Sequence, residues 1–206
     1  MSPKITAGSI QKQRDWRREQ LLAVALELAL ESPADAEISM TELAKRAGIS
    51  RTSVYDYFSS SSDVINQVLI GELDKYSSIL MASIQNIEDP KLKLESWIRA
   101  SLDYILSGDH LLAKGMGAIT SNPDLVITFR RKHQALLAPL QLVFEELGVK
   151  DVSRAMTFTQ SVVDTTAKNI ERIQTSTLSQ KPNAVEREIN IAIDLVTTAL
   201  DALRRA

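Results

Sequence analysis

The chain has 206 residues, a formal net charge of −2, 44% hydrophobic and only 5% aromatic residues. Seven glycines and six prolines favour helices over a turn-rich sheet, and the absence of cysteine excludes a disulfide framework, a thiol nucleophile and a cysteine-based zinc site. The apolar share is enough for one or two domains with a real core. No apolar run reaches signal-peptide length or the roughly 18 residues of a membrane span, so the chain reads as soluble and cytoplasmic.

The first segment is basic. Lys4, Lys12, Arg14, Arg17 and Arg18 stand against Asp15 alone in residues 1–18. Residues 1–13 read as a basic arm able to track phosphates or enter a minor groove, or as a solubilising tail; Arg14, Arg17 and Arg18 favour the DNA role. A first helix is expected over 13–31, with Leu21, Leu22, Ala25, Leu28 and Ala29 at helical spacing. Next, Ser39-Met40-Thr41-Glu42 is a capping box that opens a second helix. Leu43, Ala44 and Ala47 share one side of it, and Gly48 ends it by taking the left-handed backbone. Ile49 plugs the turn and Ser50 caps a third helix. There Val54 and Phe58 point inward, four residues apart. Arg51, Thr52, Ser53, Tyr55, Asp56 and Tyr57 are left outside. Arginine can grip a guanine edge with two bonds, serine and threonine can reach bases or phosphates, and tyrosine can meet a phosphate. Two short helices with this polar outer face suit a helix-turn-helix, motif about 39–58, in a DNA-binding domain of 14–60.

Residues 61–206 read as a helical regulatory and dimerisation domain. Ser59 to Asp63 is a turn and cap rather than a flexible linker. A fourth helix over 61–87 carries Ile65, Val68, Leu69, Leu73, Tyr76, Leu80 and Ile84 on one face. Asp89-Pro90 starts a fifth, to about 106, with Leu94, Trp97, Ile98, Ser101, Leu102 and Ile105 inward. A short sixth is expected over 110–119, loosened by Gly115 and Gly117. Asn122-Pro123 opens a seventh to about 147, with a kink expected at Pro139 and a stop at Gly148. The eighth (152–176) and ninth (183–205) have apolar surfaces too wide for a single stripe. They predict contact both with their own core and with a second copy, in a four-helix dimer interface. The fold class is all-α, with about nine helices.

The run 47–58 resembles the DNA-binding element of the TetR family of bacterial transcriptional regulators. The turn Ala47-Gly48-Ile49-Ser50 and the series Ser53-Val54-Tyr55-Asp56-Tyr57-Phe58 carry the likeness, which is strong over about residues 14–69. It implies that Arg51, Thr52 and Ser53 touch bases, with Tyr55, Tyr57 and Thr41 on or near the DNA backbone. Many members hold a lysine against a phosphate where this chain has Ser61, whose hydroxyl can still donate. The resemblance also implies a homodimer, a fourth helix that links the DNA head mechanically to the body, and a small organic effector. The regulator is then a repressor, released from a palindromic operator by that effector. On family grounds an effector pocket would draw on Trp97, Tyr104, Met116, Phe129, His133, Phe158, Asp164 and Lys168. Asp164 stays open as a buried, pocket or interface residue. Aromatic residues at helical spacing also serve as plain core.

No catalytic motif is present: no His-Glu-x-x-His, no Gly-x-Ser-x-Gly and no phosphate loop. Gly115-Met116-Gly117 lacks a third glycine and a preceding strand. His110 and His133 show no ligand spacing. The reading expects no enzyme, no cofactor and no metal. A helical ligand-sensing or protein-interaction module without tight DNA binding is the alternative. The net charge, Asp56 and Ser61 favour it; Arg51, Tyr55, Tyr57 and the basic arm oppose it.

Overall fold

A computed structural model describes residues 7–31, 38–107, 123–174 and 183–205. Eight helices occupy them: α1 (Ala7–Glu31), α2 (Met40–Arg46), α3 (Arg51–Tyr55), α4 (Ser61–Ile84), α5 (Pro90–Leu106), α6 (Pro123–Glu146), α7 (Val152–Gln174) and α8 (Ala184–Arg205). The expected helix at 110–119, and Met116 with it, lies outside the described residues. The chain divides into two compact units, one of Met1–Glu72 with His110–Phe129, the other of Leu73–Asp109 with Arg130–Ala206.

In the first unit, α1 begins six residues earlier than its apolar spacing implies. Gln, Lys and Arg are good helix formers, and Gln11 donates to Asp15 one turn on, at 2.8 Å. Leu21, Ala25 and Leu28 of α1 are buried, as are Ile38, Leu43, Ala44, Val54 and Phe58. Leu22 and Ala47 are only half-buried. The caps stand where the sequence puts them. Ser39 accepts from the Glu42 amide at 3.4 Å. Gly48, at φ +66°, lets the Ile49 amide reach the Ala44 carbonyl at 3.0 Å, which closes α2 with two paired carbonyls.

The second unit is built on the same local chemistry. Asp89 caps α5 by accepting from the Lys91 and Leu92 amides, with Pro90 at the first helical position. Gly148 (φ +73°) closes α6 as Gly48 closes α2, with the Val149 amide on the Phe144 carbonyl at 3.0 Å. α6 runs unbroken through Pro139. α5 packs against α7 and α8, which pack on each other. Their shared core includes Leu94, Trp97, Ile98, Ala155, Val163, Ala192 and Val196. No helix among the described residues is long and apolar enough to cross a membrane.

Candidate nucleic-acid interface

α3 has one buried side chain, Val54. Its other side chains form the outer face: Arg51, Thr52 and Tyr55 are exposed and Ser53 is half-buried. Ser50 caps the helix. Its hydroxyl accepts from the Ser53 amide at 3.0 Å and meets the Ser53 hydroxyl at 2.8 Å. That pair fixes the start of the helix and the direction of Ser53. One turn along, Arg51 Nη2 donates to the Tyr55 hydroxyl at 3.3 Å, and its guanidinium carbon lies 5.8 Å from the Tyr55 ring centroid. A guanidinium laid along a tyrosine is held as a planar, two-pronged donor on an open surface. Thr41, on the first turn of α2, is exposed, while Tyr57 and Ser61 are half-buried. The Asp56 side chain is exposed at the end of α3.

Three arginines of α1 are already engaged within the protein. Arg14 donates to the Asp56 carbonyl at 3.0 Å and sits 5.9 Å from the Tyr57 ring centroid. Arg17 lies 5.7 Å from the ring of exposed Trp16. Arg18 donates to Gln67. Burial alone would raise the Asp63 carboxyl, but bonds from the Ser59 amide, Gln67 and the Ser59 hydroxyl, with the Arg18 charge, hold it below its ordinary range. At the far end of α1, Arg46 of α2 grips Glu31 with two bonds, 2.9 and 2.6 Å. That bond lowers the Glu31 carboxyl against the opposing effect of burial, and the Arg46 charge adds to the lowering. The pair is exposed, so it orders the two helix ends more than it stabilises them.

In the second unit the aromatic candidates separate. Trp97 and Tyr104 are buried and His133 is half-buried. Asp164 and Lys168 are exposed, and Phe158 is 37% exposed. The buried stripe of α7 is Ala155, Thr159, Val163, Thr166 and Ile170. Asp164 follows Thr159 by five residues, well round the helix from that stripe, so burial is excluded for it within the chain. Phe129 is buried, but it belongs to the first compact unit. The side chains that do gather are centred on Tyr76, which composition and spacing assigned only to an inward helix face. Its ring stacks on Tyr104 at 4.4 Å between centroids, with 15° between planes. Burial raises the Tyr76 phenol, a hydrogen bond with Ser101 opposes this, and the Asp164 carboxylate adds to the rise. Burial lowers the His133 imidazole, and the same carboxylate opposes it. Ser101 donates to the Trp97 carbonyl at 2.8 Å. The Trp97 indole nitrogen and the Thr159 hydroxyl are buried without a hydrogen-bond partner. Separately, an open groove of about 450 Å³ runs over Asp151, Ser153, Arg154, Thr157, Phe158 and Ser161. Among the described residues no group of three or more acids and histidines could hold a metal ion.

Residues 21–68 match the family model described as bacterial regulatory proteins, tetR family. That stretch is therefore similar to the DNA-binding part of TetR-family regulators. The chain is 33% identical over 92 residues to the HTH-type transcriptional activator FasR of Mycolicibacterium smegmatis, a match covering 45% of this chain and 42% of that relative. The matched stretch is thus less than half the length of either protein. Among solved structures, a transcriptional regulator from Rhodococcus superposes with a TM-score of 0.72 at 23% identity, covering 88% of this chain and 96% of the other. FadR from Bacillus subtilis, solved in complex with stearoyl-CoA, gives 0.64 at 20% identity, covering 90% and 96%. These likenesses establish the fold over nearly the whole chain. The TetR-family match at residues 21–68 takes in α2, α3 and the Ser59–Asp63 turn, together with most of the cap chemistry described above.

Sequence reasoning missed Gln67, Tyr76 and Ser101 as polar participants. Gln67 had a signal, since it stands four residues after Asp63 and donates to it at 2.6 Å. Tyr76 and Ser101 had none beyond their helical spacing.

Proposed function

We propose that this chain is a homodimeric DNA-binding transcriptional regulator. The observation that carries the reading is α3 itself, which buries Val54 alone and turns Arg51, Thr52 and Tyr55 outward. A five-residue helix with one core contact is a poor structural filler. As a presented row of donors it fits a major groove. In this reading Arg51, Thr52 and Ser53 meet base edges, while Thr41, Tyr55, Tyr57, Ser61 and Arg17 meet or approach the phosphate backbone.

Two copies join through the outer faces of α7 and α8. Support comes from Phe158, Ile191 and Leu195, which are exposed at 37%, 42% and 53% on helices whose other apolar side chains form the core. Two-fold symmetry then calls for a roughly palindromic operator, with half-sites about one helical turn (~34 Å) or a small multiple apart.

A small organic effector in the second unit regulates binding, and the polar group around Tyr76, Ser101, His133 and Asp164 is its proposed seat. It shifts the DNA-competent state only by its difference in affinity for the two states. Long-chain acyl-CoA is the first class to titrate, because the Bacillus subtilis relative of the fold was solved with stearoyl-CoA. The regulator is proposed to repress by occupying its operator. FasR is named an activator, so a reporter fused to the neighbouring promoter reads the sign: deletion of the regulator raises expression if it represses.

The deciding experiment selects duplexes from a random pool with the purified chain and titrates binding against salt. Affinity should fall linearly with salt on logarithmic axes. A chain with no salt-dependent affinity for any duplex would instead be the interaction module without DNA function.

A further inference from the structure

α1 carries Arg14 and Arg18 four residues apart, and therefore on one face. Arg14 donates to the Asp56 carbonyl at 3.0 Å and lies over the Tyr57 ring. Asp56 ends α3. The bond fills a carbonyl that a helix end leaves without a partner, and it places a cation at the negative end of the helix. One turn later Arg18 donates to the Gln67 side-chain oxygen. The Gln67 amide donates to Asp63 at 2.6 Å, and the other Asp63 oxygen accepts from the Ser59 amide at 2.8 Å and the Ser59 hydroxyl at 3.1 Å. The two arginines thus hold both ends of the segment that leaves α3 and begins α4.

α3 needs such support. It is five residues long and has one buried anchor, Val54. A helix of that length has little stability of its own. The Ser50–Ser53 cap fixes its beginning, and within the first unit Arg14 reaches its end.

We propose that Arg14 and Arg18 are positioning residues, a two-point brace from α1 that sets the angle at which Arg51, Thr52 and Ser53 are presented, and not phosphate contacts. This rests on the DNA-binding reading above and assigns a different role to two cations that composition alone would send to the DNA backbone. A brace and a phosphate contact differ in what they control. A phosphate contact adds to affinity for every sequence and to the salt slope. A brace controls the difference between right and wrong sequences.

The test compares Arg14→Lys, Arg14→Gln, Arg18→Gln, Gln67→Ala and the Arg18→Gln/Gln67→Ala double variant, on a duplex selected by the wild-type chain and on a scrambled one, across a salt series. The brace predicts that the ratio of selected to scrambled affinity falls roughly ten-fold in each single variant. The salt slope should change by much less than the ~0.9 expected per lost phosphate. Lysine should not rescue position 14, because one ammonium cannot reproduce a planar fork on both a carbonyl and a ring face. Gln67→Ala removes no charge, so its loss of discrimination could not come from a missing ion contact. The double variant should be no worse than either single one, as members of one relay behave.

The proposal is overturned if Arg14→Lys binds as the wild type does while Arg14→Gln loses about 1.8 from the slope, about 0.9 for each of the two chains on the duplex. It is equally overturned if Gln67→Ala discriminates normally, or if every variant loses both duplexes together in step with a lowered thermal midpoint, which would mark simple loosening of the fold. A wild-type chain without salt-dependent duplex binding would remove the DNA-binding reading itself, an outcome distinct from all of these.

Discussion

α3 and α8 both leave large side chains in solvent, and the kind of side chain differs. α3 exposes Arg51, Thr52 and Tyr55, whose polar atoms water satisfies as well as any partner does. α8 exposes Ile191 and Leu195, for which water is a poor solvent. An exposed row of donors can wait for a ligand at no cost and then choose among ligands by geometry. An exposed apolar pair is driven towards a partner in any case and chooses little. This difference supports the proposed division of labour, in which the first face discriminates sequence and the second holds two copies together.

The largest expected effect comes from breaking the apolar face. In the proposed dimer, Leu195→Lys removes a contact that two-fold symmetry counts twice. It should weaken dimerisation by about 3 kcal/mol, roughly a hundred-fold. Sedimentation across a concentration series measures this; a variant as dimeric as the wild type would move the interface elsewhere. On the polar face, Arg51→Ala should cost about 1–3 kcal/mol on the selected duplex and relax base preference at one position per half-site. Equal losses on selected and scrambled duplexes would make Arg51 a backbone contact instead. Ser61→Lys adds charge at the start of α4. It should tighten binding to all sequences several-fold and steepen the salt slope by about 1.8, about 0.9 for the new phosphate contact of each of the two chains. An unchanged slope would place residue 61 away from the DNA backbone.

The smallest effect lies in the second unit. Burial holds the His133 imidazole below its ordinary 6.5. The unfolded chain therefore binds this proton first. The contribution to stability is complete above 6.5 and is lost as pH falls through that value towards the lower folded one. His133→Gln should flatten the fall in thermal midpoint over that window. The change should be on the order of 1 °C, since His133 is half-open to solvent. An identical pH profile would mean that another group carries the acid sensitivity.

The two units also differ in how much their sequences disclosed. The starts of α2, α3 and α5 and the stops of α2 and α6 were legible because each depends on groups within a few residues: Ser39 with Glu42, Ser50 with Ser53, Asp89 with Pro90, Gly48 with Ile49, and Gly148 with Val149. The stop of α3 was not: its apolar spacing carries on to Phe58, but the helix ends at Tyr55. The outward set of α3 was legible for the same reason as the starts, since the helical phase that turns Val54 inward turns Arg51, Thr52 and Tyr55 away from it. What stayed hidden depends on side chains that meet across helices. Arg14 reaches a carbonyl 42 positions away, Arg18 a side chain 49 away. Both read in sequence simply as positive charge. Asp164 looked ambiguous among apolar neighbours, and only the phase of α7 places it outside. The six extra residues of α1 were missed because a solvated helix without an apolar stripe leaves no period to read.

The account turns on paired copies of α3 reading two grooves on one side of a duplex, and nuclease protection combined with a measured stoichiometry tests this most directly. It predicts a two-fold symmetric footprint over an inverted repeat, with half-site centres about 34 Å or a small multiple apart and two chains per duplex. A footprint without symmetry, or one chain saturating the site, would contradict it.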